Sequence, residues 1–139
     1  MTEKPRLLLD TCVLLFSARD AQIGKPASAA IDDATPDGRL FVSPVSAWEF
    51  GQLMRCGRMR ATLPAYEFFD QLVTRAVAKI CELTPAVMAQ ASFLPQLDHR
   101  DPADCLLIAT ARAFDFTLVT RDRTMLGYGA AGHVKVLAC

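Results

Sequence analysis

Charge imbalance is the first thing this chain does not have: Lys and Arg number 15, Asp and Glu 15, for a formal net charge of zero. No global field therefore advertises a partner, and nucleic acid is neither implied nor excluded, because a local basic patch suffices for phosphate contact. The five cysteines, Cys12, Cys56, Cys81, Cys105 and Cys139, form no CxxC pair and have no histidine at zinc spacing. They read as buried or incidental thiols of a reducing compartment. No GxGxxG follows the first apolar run, and no GxxxxGK followed by Ser or Thr occurs, which leaves dinucleotide and nucleoside-triphosphate sites without support. The GxSxG elbow of acyl-transfer enzymes is missing as well. No apolar stretch approaches the roughly 18 residues of a membrane helix, and the opening MTEKPRLLLD lacks the long apolar run of a signal peptide. The expectation is a soluble, cytoplasmic protein with no membrane partner.

What is present is a high apolar content, 52% of 139 residues. One domain over residues 1–139 is expected, large enough to bury roughly 70% of the surface its unfolded chain exposes. Strand-sized apolar runs, bounded by turn or helix signals, occur at Arg6–Leu9, Leu40–Ser43, Lys79–Leu83, Thr117–Thr120 and Val134–Leu137. Between them, helices are predicted over Thr11–Ala18, Lys25–Ala34, Pro44–Cys56, Pro64–Val77, Pro85–Phe93, Pro102–Phe114 and Arg123–Tyr128. Pro44, Pro64, Pro85 and Pro102 mark starts, where the fixed φ of the ring suits a first turn. The alternation predicts an α/β fold whose mostly parallel sheet is covered on both sides. No repeat, linker or low-complexity segment interrupts it.

In such sheets, sites form beyond the carboxyl ends of the strands, and four acids stand where apolar segments end or are interrupted. Asp10 splits LLLD from TCVLLF; an unpaired carboxylate there is costly to desolvate, so it is either the N-cap of the next helix or a ligand. Glu49, in SPVSAWEFGQLM, has Gln52 and Leu53 at i+3 and i+4, so no helical cation pairs with it. It lies on a solvated face or meets a cation brought from elsewhere. In DHRDPADCLLIATA, Asp101 falls at an N-cap, Pro102 at the first helical position and Asp104 three residues past the cap. Asp101 has a sufficient structural role in accepting the N–H near Asp104, whereas Asp104 either closes a capping box or is a ligand. Asp122, between Arg121 and Arg123, caps the last helix or joins the other acids. Asp104 presents a geometric difficulty: its helix leads into the fourth strand, and a strictly antiparallel course is expected to leave it at the opposite edge unless the helix splays.

Other features read more plainly. His99 is a surface loop residue or a neighbour of the site. Tyr66, Phe69, Val73 and Ala76, joined by Leu72, recur at helical spacing and are core or partner-facing. Arg55, Arg58 and Arg60 form either a solvated helix end that complements the dipole or a patch that contacts phosphate.

Taken in order, LLLDTCVLL, SPVSAWEFGQL, DHRDPADCLLIATA and LVTRD resemble a PIN-domain ribonuclease of the VapC toxin type over nearly the whole chain. The SxxSxWE segment and HRDPxD with LIATA are the more specific parts. The resemblance implies a PIN-like three-layer α/β/α fold with a parallel five-stranded sheet of order 3-2-1-4-5, in which the Asp104 helix presents its N-terminus to the pocket. It implies an acidic pocket of Asp10, Glu49, Asp104 and Asp122, with Thr11 and Thr120 beside it. Four carboxylates so close cannot all ionise without a counter-charge, and hard oxygen ligands favour Mg²⁺ or Mn²⁺ over zinc. On this reading Asp10 and Asp104 bind the ion, Asp122 helps directly or through water, and Glu49 positions or deprotonates the attacking water. In-line displacement then leaves a 5′-phosphate and a 3′-hydroxyl.

The same resemblance implies an RNA substrate, with Arg100, Arg121, Arg123, Arg55 and Arg58 as candidate backbone contacts. It also implies a homodimer and a cognate VapB-like antitoxin whose amphipathic segment fills an apolar groove near the helices carrying Phe50, Leu53, Phe68 and Phe69. The chain departs from the family at two places. Cys105 stands where an Arg commonly follows the acid, and Leu53 stands where a Lys often follows Glu49 by four. One rival reading is a non-catalytic PIN-like module that binds RNA or protein. A second, a haloacid-dehalogenase-type phosphatase, needs an acid two residues after Asp10, where this chain has Cys12.

Overall fold

The computed structural model describes residues 3–19, 22–97 and 101–139. The apolar runs become β1 (Arg6–Leu9), β2 (Leu40–Val42), β3 (Lys79–Ile80), β4 (Phe116–Thr120) and β5 (Lys135–Ala138). They form one sheet of order β3-β2-β1-β4-β5 in which every neighbouring pair is parallel. The described helices are α1 (Thr11–Ala18), α2 (Lys25–Ala34), α3 (Val45–Arg55), α4 (Ala65–Ala76), α5 (Pro85–Gln90), α6 (Pro102–Phe114) and α7 (Arg123–Ala130).

Burial from both sides explains the unbroken apolar strands. Leu7 and Leu9 join one core with residues of α1 to α4, while Leu8 faces a second core built largely from α5, α6 and α7. The result is the three-layer α/β/α arrangement. None of the described helices is long and apolar enough to cross a membrane.

Where the elements differ from expectation, pairing explains the difference. The third strand stops at Ile80 rather than Leu83, because its partner β2 ends at Val42, which pairs with Ile80 and accepts only one further bond, from the Cys81 N–H. After Gln90 the fifth helix tightens into a 3₁₀ turn, Ala91–Phe93. The last helix runs on to Ala130, two residues past the predicted end, and the extension holds Gly129 directly on β5: a Cβ there would lie 2.2 Å from Val136 Cγ2.

An apolar groove is expected near the helices that carry Phe50, Leu53, Phe68 and Phe69, and the three aromatic residues themselves are not open to a partner. Phe50, Phe68 and Phe69 are buried, with Phe50 and Phe68 edge to face at 5.2 Å, so they join the two helices instead of lining an open surface. Of the residues at helical spacing on α4, Phe69, Leu72 and Val73 are core, whereas Tyr66 is exposed. All five cysteines are free thiols, with Cys81 and Cys105 buried.

Candidate active site

Asp10 directly follows β1, and Asp122 follows β4 by two residues. These two strands are neighbours in the sheet although the chain visits β2 and β3 between them. They therefore bracket the point where strand order reverses, which is where an open α/β sheet leaves a crevice at its carboxyl edge. Helix α3 begins just after β2 and carries Glu49 on its second turn.

The difficulty over Asp104 dissolves on geometric grounds. A helix that runs antiparallel into the next parallel strand starts at the carboxyl edge, so the expectation of the opposite edge was incorrect and no splay is required. Asp104 lies in the first turn of α6, and both it and Asp101 act electrostatically on Glu49.

Asp10 is 7% exposed. Its Oδ1 accepts from the Thr11 N–H at 2.7 Å, capping α1, and its Oδ2 accepts from the Thr120 hydroxyl at 2.7 Å. Burial raises its pKa above the ordinary value of 3.8; the Thr120 and Thr11 bonds oppose that shift and the Asp122 charge adds to it. The Cys12 thiol stands 3.8 Å from Oδ2, and burial together with the Asp10 charge pushes that thiol up to about 12. Cys12 thus remains a protonated donor.

Glu49 is half-buried. Burial lifts its pKa from 4.5 to about 7 against the bond from Thr11, with Asp10, Asp104 and Asp101 adding to the rise. The Thr11 hydroxyl donates to Glu49 Oε1 and lies 2.8 Å from the Ser46 hydroxyl. A hydroxyl has one proton to give. Ser46 therefore donates to Thr11 and Thr11 to Glu49, a relay of two buried hydroxyls behind one carboxylate. The sequence reading gave Ser46 no role; its signal was its position three residues before Glu49, on the same face of α3.

The Thr120 hydroxyl also accepts from the Asp122 N–H at 3.0 Å, so one oxygen ties Asp10 to the backbone of Asp122. Asp122 caps α7 by accepting from the Met125 N–H at 2.9 Å, and Asp101 caps α6 by accepting from the Asp104 N–H at 3.1 Å. Among the described residues Asp10, Glu49 and Asp122 have no ion-pair partner. Nor do any three His, Cys, Asp or Glu side chains among them close around a point as a ready-made metal cage.

The basic candidates are dispersed. Arg121 lies over the Phe16 ring at 4.3 Å and donates to the Gln22 carbonyl, Arg55 donates to Gln52, and Arg58 and Arg123 are exposed. Arg100 and His99 lie outside the described residues. Cys105 is buried in the core and Leu53 packs against the α3 and α4 cluster, so both departures from the family pattern place apolar contacts where a cation would stand.

Residues 7–129 match the family described as PIN domain. The chain belongs to the PIN-domain family. This PIN domain is 33% identical over 120 residues to Ribonuclease VapC22 of Mycobacterium tuberculosis, a match covering 86% of this chain and 88% of the relative. Its fold is similar to that of VapBC2 from Rickettsia felis, solved bound to a DNA fragment from their promoter, with TM-score 0.68, 12% identity, and 95% of this chain and 97% of that chain covered. A toxin-antitoxin complex from Klebsiella pneumoniae is similar at TM-score 0.60 and 16% identity, over 94% of this chain and 95% of that one. At those identities the solved structures bear on the fold alone, whereas the sequence relative sets this PIN domain beside the VapC proteins.

Proposed function

We propose that the chain is a metal-dependent endoribonuclease of the VapC toxin type, hydrolysing RNA phosphodiester bonds and held inactive by a cognate VapB-like antitoxin. The observation that carries this reading is the pair Asp10 and Glu49: two acids with raised pKa values and no ion-pair partner among the described residues, beside Asp122 and Asp104 at the sheet's switch point. An all-carboxylate donor set suits a hard cation that keeps part of its water shell, hence Mg²⁺ or Mn²⁺. Asp10, Asp104 and Asp122 would hold it. When bound, the ion offsets the carboxylate charge, acidifies water and polarises the phosphate.

The chain's own groups divide the remaining work. Glu49, titrating near neutrality, is suited to take a proton from the attacking water. Thr11, fed by Ser46, fixes the orientation of that carboxylate, and Thr120 does the same for Asp10. Displacement in line leaves a 5′-phosphate and a 3′-hydroxyl. Arg121, stacked on Phe16 yet paired with no carboxylate among the described residues, offers a contact to the RNA backbone. A homodimer and a cytoplasmic setting complete the reading, supported by the likeness to VapC proteins.

The test is incubation of the purified protein with total cellular RNA, with Mg²⁺ or with EDTA, followed by sequencing of the ends. New ends in the Mg²⁺ sample alone are expected, and Asp10→Asn and Asp104→Asn proteins should yield none. Identical end profiles in all samples would overturn the proposal.

A further inference from the structure

Without a bound ion the acidic pocket repels a polyanion, so affinity for an RNA strand draws largely on cations elsewhere on the surface. Half of the fourteen described cations are already engaged. Lys4, Arg39 and Lys135 pair with carboxylates; Arg6 and Arg112 donate to backbone carbonyls; Arg55 bonds Gln52; and Arg121, which also bonds a carbonyl, stands next to Asp122 and serves the cleavage pocket itself. Among the cations left without such an anchor, Arg19, Arg60 and Arg75 line one cleft of about 410 Å³ between the end of α1 and the flank of α4. That volume is far more than the roughly 30 Å³ a water molecule occupies.

The cleft is built to present charge. The Arg19 guanidinium sits 5.6 Å above the Phe68 ring, and that buried ring gives the cleft an apolar wall against which an ionic contact is less screened. The Gln71 amide and the Thr62 hydroxyl also line it and add donors. Guanidinium forks match the paired oxygens of a phosphodiester.

We infer that this cleft is a phosphate-binding subsite that holds the backbone of a single-stranded RNA segment outside the cleavage pocket. The inference rests on the ribonuclease reading for its ligand. Position favours RNA over an acidic peptide: α1 starts at Thr11 in the pocket, and Arg19 lies about 12 Å further along the same helix, so one strand can span both places.

The test is the salt dependence of binding, which does not need cleavage. In an Asp10→Asn background, a fluorescein-labelled 20-nucleotide single-stranded RNA is titrated against the protein and against its Arg60→Ala/Arg75→Ala form over a range of salt. Removing two phosphate contacts should weaken binding severalfold and reduce the slope of log K against log salt by about 1.4, at about 0.7 per contact on a single strand. The Arg60→Lys/Arg75→Lys form should restore the slope, and matching melting temperatures show that each variant is folded. Unchanged affinity and slope overturn the subsite. So does an unchanged RNA slope accompanied by loss of binding to a polyglutamate peptide, which assigns the cleft to an acidic protein segment. Cleavage of total RNA by the unsubstituted chain is read separately: its absence, with the slope still reduced, overturns the ribonuclease reading and leaves the subsite standing.

Discussion

Glu49 illustrates how a single burial decision reaches into solution behaviour. Its carboxyl titrates at about 7 in the folded chain against 4.5 ordinarily, so between those values the native state binds the proton that the unfolded state has released. Stability from this group is complete below about pH 4.5 and is lost as pH rises through 7. In EDTA, the melting temperature should therefore fall from pH 5 to pH 8, with Asp10 acting in the same direction, and Glu49→Gln should flatten part of that fall. Melts of the Gln variant that run parallel to the parent would contradict the assignment. Thr120→Val preserves shape but removes the donor to Asp10 and the acceptor for the Asp122 N–H. A bond to a charged group is worth about 1.5–3 kcal/mol. The variant should lose stability of that order, and the Asp10 pKa, followed by NMR, should move further up. These roles were only partly readable in the chain. Asp10, Thr11, Glu49 and Thr120 stand in motifs, but a donor relay through Ser46 depends on α1 meeting α3 across 35 residues of sequence.

At the scale of elements, the helix starts were the most legible features. Asp101 before Pro102 specifies the start of α6 by local chemistry alone, and the carboxylate does accept from the Asp104 N–H. Strand ends were less so, because β3 stops where β2 stops and no residue within β3 encodes that. Helical periodicity likewise marked α4 as apolar on one side without saying whether core or partner covers it; Phe69, Leu72 and Val73 are core and Tyr66 is exposed. Helix α7 depends on Gly129, whose Cβ position is already occupied by Val136. Gly129→Ala should destabilise the protein by about 1–3 kcal/mol through overpacking, read from urea unfolding. Adding Val136→Ala should recover part of the loss, since the two residues are in contact. Simple additivity of the two substitutions would show that the clash is not what sets this helix against the sheet.

For the molecule as a whole, the sheet order was an implication of family resemblance and is now seen in the pairing of all five strands. Its use is to gather acids from distant parts of the chain into one crevice, which is why composition, with its net charge of zero, showed none of it. A divalent ion that binds only the folded state should raise stability with concentration, by about 2.7 kcal/mol at one hundred times its Kd. Thermal shifts with Mg²⁺ or Mn²⁺ should show this for the parent chain and little of it for Asp10→Asn; equal shifts in both would place the ion elsewhere. The Thr120 hydroxyl, shared between Asp10 and Asp122, also has a meaning in time. One of those acids leaves the ribosome 112 residues before the other. At about 5–20 residues per second, several seconds separate them. A nascent chain thus carries its first carboxylate unassembled throughout that interval, and the bridge through Thr120 closes only once Asp122 has followed.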